Sequence, residues 1–210
     1  MENSSVVEVF TLQGLNETKA NTFIFFAIAL LAYLLIFFFN MTLIITIITE
    51  KTLYEPMYIF LCNLCVNGLY GTAGLYPKLL ADFLSGSHVI SYAGCHLQVF
   101  VIYTSVQCEF TILTVMAYDR YVAICKPLQY HSIMTSLTIS KFLLVSWLLP
   151  FCEHSVSTWL SVQLPLCGSH IDKLYCENWS IPVRNFLAVE FLLIPPLLNP
   201  LIYGLKLKDI

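Results

Sequence analysis

Five stretches of the chain are apolar over about 20 residues or more, and shorter polar segments separate them. That length lets a helix cross the hydrocarbon core of a bilayer, and lipid offers no partner to backbone polar groups. The alternating pattern of a membrane barrel is absent. The pattern therefore predicts an all-α membrane protein, a transmembrane helix bundle. The predicted spans are residues 22–49, 57–84, 99–123, 138–160 and 186–205.

Composition supports a membrane protein. Of the 210 residues, 58% are hydrophobic and only 11% are charged, whereas a soluble domain carries about 25% charged residues. The net charge of −3 is too small to indicate nucleic acid as a partner. The lipid bilayer is the partner that the composition predicts.

The basic residues predict the orientation of the spans. An N-terminus outside puts six basic residues on the cytoplasmic side and four on the other, as the positive-inside rule favours. No cleavable signal peptide is evident, so we expect the first helix to act as the insertion signal. The cytoplasmic set is Lys51, Arg120, Lys126, Lys141, Lys206 and Lys208, and the other set is Lys19, Lys78, Lys173 and Arg184.

Residues 1–21 show no periodicity, which predicts an irregular external segment. They contain two glycosylation sequons, at Asn3 and Asn16. Such sequons also recur by chance, but an external location favours use of Asn3. Asn16 lies close to the predicted membrane surface.

Several residues inside the spans are polar or unusually small. The simplest interpretation of Asn40 in the first helix is that it forms a hydrogen bond in helix packing. Glu109 lies at membrane depth, where a carboxyl group is a candidate functional residue, although it could equally be protonated and bonded to a neighbouring helix. Gly68, Gly71 and Gly74 recur every three residues, which predicts a face for close helix packing.

The third span ends in the sequence MAYDRYVAIC, residues 116–125. An acid and a guanidinium group are tolerated cheaply only where a helix meets the membrane interface, since either costs roughly 2.5–3.5 kcal/mol at a helix centre. Arg120 can pair with Asp119 in one state and contact another partner in a second. Pro127 should then stop the helix.

These strings carry a family resemblance. MAYDRYVAIC with the following KPLQYHSIM, LYEPMYIFLCNLCVNGLY with the following YPKLL, and NPLIY resemble the olfactory (odorant) receptors, a branch of the rhodopsin-like (class A) G-protein-coupled receptors. The resemblance implies a seven-helix fold, a small odorant as ligand and a stimulatory heterotrimeric G protein as partner. It implies a multi-pass protein of the plasma membrane that serves the sense of smell, and it leaves open whether two receptor chains pair. It implies neither an enzyme nor a cofactor.

The resemblance also assigns site residues. At the outer half of the third helix it implies an odorant pocket, although plain helix packing explains the same spacing. Asp119, Arg120 and Tyr121 would couple to the G protein, and Cys95 would form a disulfide with Cys176, leaving Cys167 without its partner. The pocket residues are Ile102, Tyr103, Val106 and Gln107. The intramembrane polar network comprises Asn40, Asn67, Glu109, Asn199 and Tyr203. No metal ligands are predicted.

The resemblance covers only five of the seven helices. It divides the chain into an extracellular N-terminus (1–21), helices one to four with their loops (22–160), an extracellular loop (161–185) and a seventh-type helix with a short cytoplasmic tail (186–210). The fifth and sixth helices, on the order of a hundred residues, are missing near Ile181 and Pro182.

The gap leaves other functional hypotheses open. The chain could be a truncated, signalling-incompetent receptor product that is retained in the endoplasmic reticulum or pairs with full-length receptors. A small channel using Glu109 and Asn67 is a further hypothesis, but the lack of an internal repeat argues against it. Glu153 and His154 are too isolated to indicate catalysis.

Overall fold

The computed structural model describes residues 9–12, 19–50, 55–163, 170–171 and 174–176. This part of the chain has five helices, and four of them are long and apolar enough to cross a membrane. The helices are α1 (Lys19–Thr49), α2 (Pro56–Ser85), α3 (Tyr92–Cys125), the short α4 (Tyr130–Ile133) and α5 (Ser136–Val162). A 3-10 turn, Pro127–Gln129, connects α3 to α4.

The first four predicted spans are confirmed by α1, α2, α3 and α5. The fifth predicted span lies outside the described residues. So do Asn3, Cys167, the predicted junction at residues 181–182, Asn199 and Tyr203.

The helix ends follow from local sequence. Pro56 occupies the first turn of α2, where its missing N–H group leaves no hydrogen bond unmade. At the other end of α2, Gly86 adopts φ 63°, a left-handed conformation that glycine reaches without strain. The Ser91 side chain caps α3 by accepting from the Gly94 backbone N–H at 3.1 Å. α3 ends at Cys125, two residues before Pro127, which agrees with the prediction that this proline stops the helix.

Three short strands form a sheet at the end of the bundle that carries Cys95, here called the disulfide end. Strand β1 (Val9–Leu12) lies in the middle, antiparallel to β2 (Val89–Ser91) and parallel to β3 (His170–Ile171). The expectation of an irregular segment over residues 1–21 is therefore wrong at residues 19–21, where α1 begins, and at the four residues of β1. A stretch this short shows no sequence periodicity of its own, and its partners are about 80 and 160 positions away.

The core has two parts. The larger cluster fills the space between the helices on the half of the bundle that carries Arg120, here called the Arg120 end, and it includes Phe60, Leu61, Ile112 and Val122. The smaller cluster lies under the sheet, where Phe10 and Leu12 of β1 cover Cys95 and Cys176. Large apolar side chains on α1 and α5 point outward, as lipid-facing residues do; examples are Phe23, Leu31, Phe38, Leu148 and Trp159.

Helices α2 and α3 approach each other closely along the predicted glycine face. A Cβ atom added to Gly71 would lie 2.1 Å from Ser105 Oγ, and one added to Gly74 would lie 2.6 Å from Val101 Cγ1. Both distances are far below van der Waals contact. The prediction of a packing face is therefore confirmed at these two glycines.

Candidate functional site

At the Arg120 end, two side chains bind a buried carboxylate. Asp119 is completely buried and accepts from Arg120 Nε at 3.0 Å and from the Tyr130 hydroxyl at 2.7 Å. Arg120 forms a second contact to the same carboxylate through Nη2, and its side chain is 45% exposed. Tyr121 is exposed and lies against Tyr118. The arrangement holds Arg120 at a surface while neutralising the acid beneath it.

Tyr130 ties α4 to α3 through this carboxylate. Burial, together with the hydrogen bond to Asp119, raises the pKa of the Tyr130 phenol. The phenol therefore remains a neutral donor at physiological pH. Sequence analysis did not single out Tyr130, because a tyrosine eleven positions after the acid carries no local signal of the contact.

We expect Tyr130→Phe to destabilise the folded chain by about 1 kcal/mol at neutral pH, because Asp119 loses a hydrogen bond. The phenol binds its proton more tightly in the folded state, so its contribution is present below the ordinary tyrosine pKa of about 10 and is lost as pH rises further. Melting curves in detergent between pH 7 and 11 measure both effects. The difference between wild type and variant should shrink above pH 10, and a constant difference would contradict the assignment.

A polar junction connects α2, α3 and α5 near mid-bundle. The Tyr70 hydroxyl and Thr104 Oγ1 are 2.8 Å apart, and Trp147 Nε1 donates to Asn63 Oδ1 at 3.2 Å. The rings of Tyr70 and Trp147 also meet edge to face. Trp147 thus packs against Tyr70 and also forms a hydrogen bond between helices.

The described members of the predicted polar network are all buried. Asn40 donates to the Ile36 backbone oxygen at 2.8 Å in its own helix. Asn67 donates to the Ser105 backbone oxygen of α3 at 2.9 Å, one helical turn from Glu109. The side-chain oxygen Oδ1 of Asn67 has no hydrogen-bond partner among the described residues. The structure brings Asn67 and Glu109 to neighbouring turns of one interface.

The four predicted pocket residues do not share one environment. Ile102 is buried at the α2 interface, with its Cγ1 atom 4.0 Å from the position of a Cβ atom added to Gly74. Tyr103 and Gln107 instead reach α5, and Val106 is partly buried between these levels. The directional polar groups of the predicted pocket therefore lie on the α5 side of α3.

The partners of these groups on α5 are Glu153 and His154. Gln107 Nε2 donates to Glu153 Oε2 at 2.6 Å, and the rings of Tyr103 and His154 have their centroids 6.0 Å apart. In sequence, Glu153 and His154 had no visible partners. Their position opposite an i, i+4 pair of α3 is a tertiary feature.

The disulfide end lies at the start of α3, the helix that also carries Tyr103 and Gln107. Cys95 and Cys176 form a disulfide across 81 residues of sequence, as the resemblance implied. The side-chain amide of Gln98 forms two hydrogen bonds beside the disulfide. Its oxygen accepts from the Cys176 backbone N–H at 2.9 Å, and its nitrogen donates to the Gly74 carbonyl at 3.2 Å. The loop carrying Cys176 is thereby fixed to both α3 and α2.

The described residues contain no group of three or more His, Cys, Asp or Glu side chains that could hold a metal ion. The bundle thus combines three features. A polar cluster lies between α3 and α5, a disulfide fixes the loop at one end, and a guanidinium group is held at the opposite end.

Known proteins match most of the chain. The family model of the 7 transmembrane receptor (rhodopsin family) matches residues 39–198. Human olfactory receptor 4K5 is 36% identical over 176 residues, which are 83% of this chain and 54% of the relative. Human olfactory receptor 13G1 is 39% identical over 176 residues, with 83% and 57% covered. Mouse olfactory receptor 6E1 is 35% identical over 182 residues, with 86% and 58% covered. The chain thus spans about half the length of the curated relatives it matches.

Proposed function

Because this chain belongs to the rhodopsin family of seven-transmembrane receptors, and its relatives include olfactory receptors, we propose that it is an odorant receptor chain. It is a multi-pass membrane protein. We place it in the plasma membrane with its N-terminus outside, its disulfide end facing the odorant and its Arg120 end facing a stimulatory G protein.

The observation that carries this proposal is the arrangement around Asp119. A guanidinium group lies at a helix end, bound to a buried carboxylate that also accepts a hydrogen bond from Tyr130 of α4. Such a group can exchange one partner for another without leaving the interface. An activated state would release Arg120 from Asp119 and let it contact the G protein, a two-state change.

A second candidate function follows from the length of this chain compared with that of its relatives. The chain spans about half of its relatives, and after α5 its sequence contains one further apolar stretch, at residues 186–205. Activation in a rhodopsin-like bundle needs a cytoplasmic crevice opened by movement of the sixth helix. A chain lacking that helix would be signalling-incompetent, retained in the endoplasmic reticulum, or paired with a full-length receptor.

One experiment separates the two candidates. Cells expressing only this chain are challenged with a panel of odorants while cAMP is recorded and the cell-surface fraction is measured by labelling an N-terminal tag. An odorant-dependent cAMP rise that Arg120→Ala abolishes supports the receptor. Intracellular retention without any cAMP response supports the truncated product, and surface rescue by a co-expressed full-length receptor would identify pairing.

A further inference from the structure

Two neighbouring pairs of side chains connect α3 and α5. In one, the Gln107 amide donates to the Glu153 carboxylate at 2.6 Å. In the other, the rings of Tyr103 and His154 lie with their centroids 6.0 Å apart and their planes inclined by 41°. Tyr103 and Gln107 are four residues apart on α3, so they project from the same face of that helix. The four side chains therefore make one cluster, here called the α3–α5 cluster.

This cluster lies deep in the apolar span. Gln107 is 12 residues from Cys95 and 13 from Arg120, or about 18 and 20 Å along the helix axis. A hydrocarbon core is about 30 Å thick, so Glu153 meets Gln107 well inside it. Glu153 is nevertheless exposed in the described part of the structure. An exposed carboxylate at that depth needs a polar or cationic partner.

The chain's own basic residues are poorly placed to supply that partner. The sequence puts all ten lysines and arginines in loops or near the ends of the apolar stretches. Lys78, the basic residue within α2, is already paired with Asp82 four positions away. Among the described residues, the hydrogen bond to this carboxylate comes from the neutral Gln107 amide, and the adjacent His154 interacts with it electrostatically.

The hydrogen-bond capacity of the pair determines which ligand fits. A carboxylate has roughly four acceptor sites and no donor, and Gln107 uses one of them. Because the Gln107 NH₂ group faces Glu153, its amide oxygen is a second acceptor. Two acceptors side by side suit a primary ammonium group, which has three donors, and repel a carboxylate ligand. The ring face of Tyr103 also favours a nearby cation.

We propose that the α3–α5 cluster binds the protonated amino group of an aliphatic amine, with Glu153 as the ionic anchor and Gln107 as the residue that orients it. The apolar tail would lie along Val106 and the neighbouring apolar surface. This proposal rests on the proposed odorant receptor function and narrows its ligand class from small odorants to amines.

The test uses the full chain in lipid nanodiscs and three eight-carbon probes, namely octylamine, 1-octanol and octanoate. Saturable binding is measured with radiolabelled probes, and partition into empty nanodiscs is subtracted. We expect octylamine to bind at least about tenfold more tightly than octanol, and octanoate to bind most weakly. Glu153→Gln keeps a hydrogen-bonding side chain of the same shape. It should remove the preference for the amine, and octanol binding should fall far less than octylamine binding.

Glu50→Gln is the matched control, because Glu50 is an exposed acid just past the end of α1, and it should leave the amine preference intact. Formation of the Cys95–Cys176 disulfide, read by thiol labelling, verifies that each variant folds. Binding of octanol without an amine preference, or a preference that survives Glu153→Gln, overturns the amine assignment alone. Failure of the folded chain to bind any probe from this set or from a wider odorant panel overturns the odorant function as well.

Discussion

Gly71→Val should destabilise the helix bundle by about 3 kcal/mol, at the upper end of the usual overpacking range. The reason is geometric, since even a Cβ atom at Gly71 would lie 2.1 Å from Ser105 Oγ and 2.9 Å from Ser105 Cβ. A serine side chain is too short to move aside, so the backbones of α2 and α3 would have to separate. Thermal melting in detergent, followed by circular dichroism, measures the loss.

The partner residue supplies the control. Ser105→Gly removes both obstructing atoms but keeps the backbone oxygen that accepts from Asn67. The double variant Gly71→Val with Ser105→Gly should therefore recover a large part of the loss, which a double-mutant cycle expresses as a coupling energy. Additive effects of the two substitutions would show that the helices are not in contact at this point.

Cys95→Ser is the second substitution with a large expected effect. The disulfide closes a separation of 81 residues, and removal of such a bond costs about 2–5 kcal/mol. It also releases the loop whose Cys176 N–H group is bound by Gln98. We expect a lower melting temperature and faster proteolysis of the segment that carries Cys176.

Two further variants complete this measurement. Cys176→Ser should match Cys95→Ser, and the double variant should be no worse than either, because each removes the same bond. Cys152→Ser changes an exposed free cysteine of α5 and should leave stability near that of the wild type. A double variant markedly worse than the singles would mean that Cys95 and Cys176 are not joined to each other.

The long helices were predictable because each carries its own signal. About twenty apolar residues have one stable conformation in lipid, and Pro56, Pro127 and Gly86 mark helix ends through their backbone chemistry alone. The glycine face of α2 was predictable for a similar reason, since small residues at helical spacing permit a close approach whatever the partner is.

For each contact in the site, the sequence indicated only one of the two contacting partners. Tyr103 and Gln107 stood out on α3, but nothing local linked them to Glu153 and His154, about 50 residues later. Asp119 and Arg120 stood out likewise, whereas the hydroxyl of Tyr130 reaches Asp119 only because Pro127 turns the chain back. Strand β1 carried no signal, because four residues gain their conformation from pairing with distant strands.

The central position of β1 constrains the order of events during synthesis. Val9–Leu12 leave the ribosome first, but β3 at His170–Ile171 and the partner cysteine Cys176 are made about 160 residues later. At about 5–20 residues per second this is a delay of roughly 8–30 seconds. During that interval the sheet is incomplete, and with the proposed orientation the first residues of the chain would be accessible to lumenal enzymes. Any sugar added at Asn3 would thus be attached before the sheet and the Cys95–Cys176 disulfide are complete. Glycosylation would then report on membrane insertion rather than on folding.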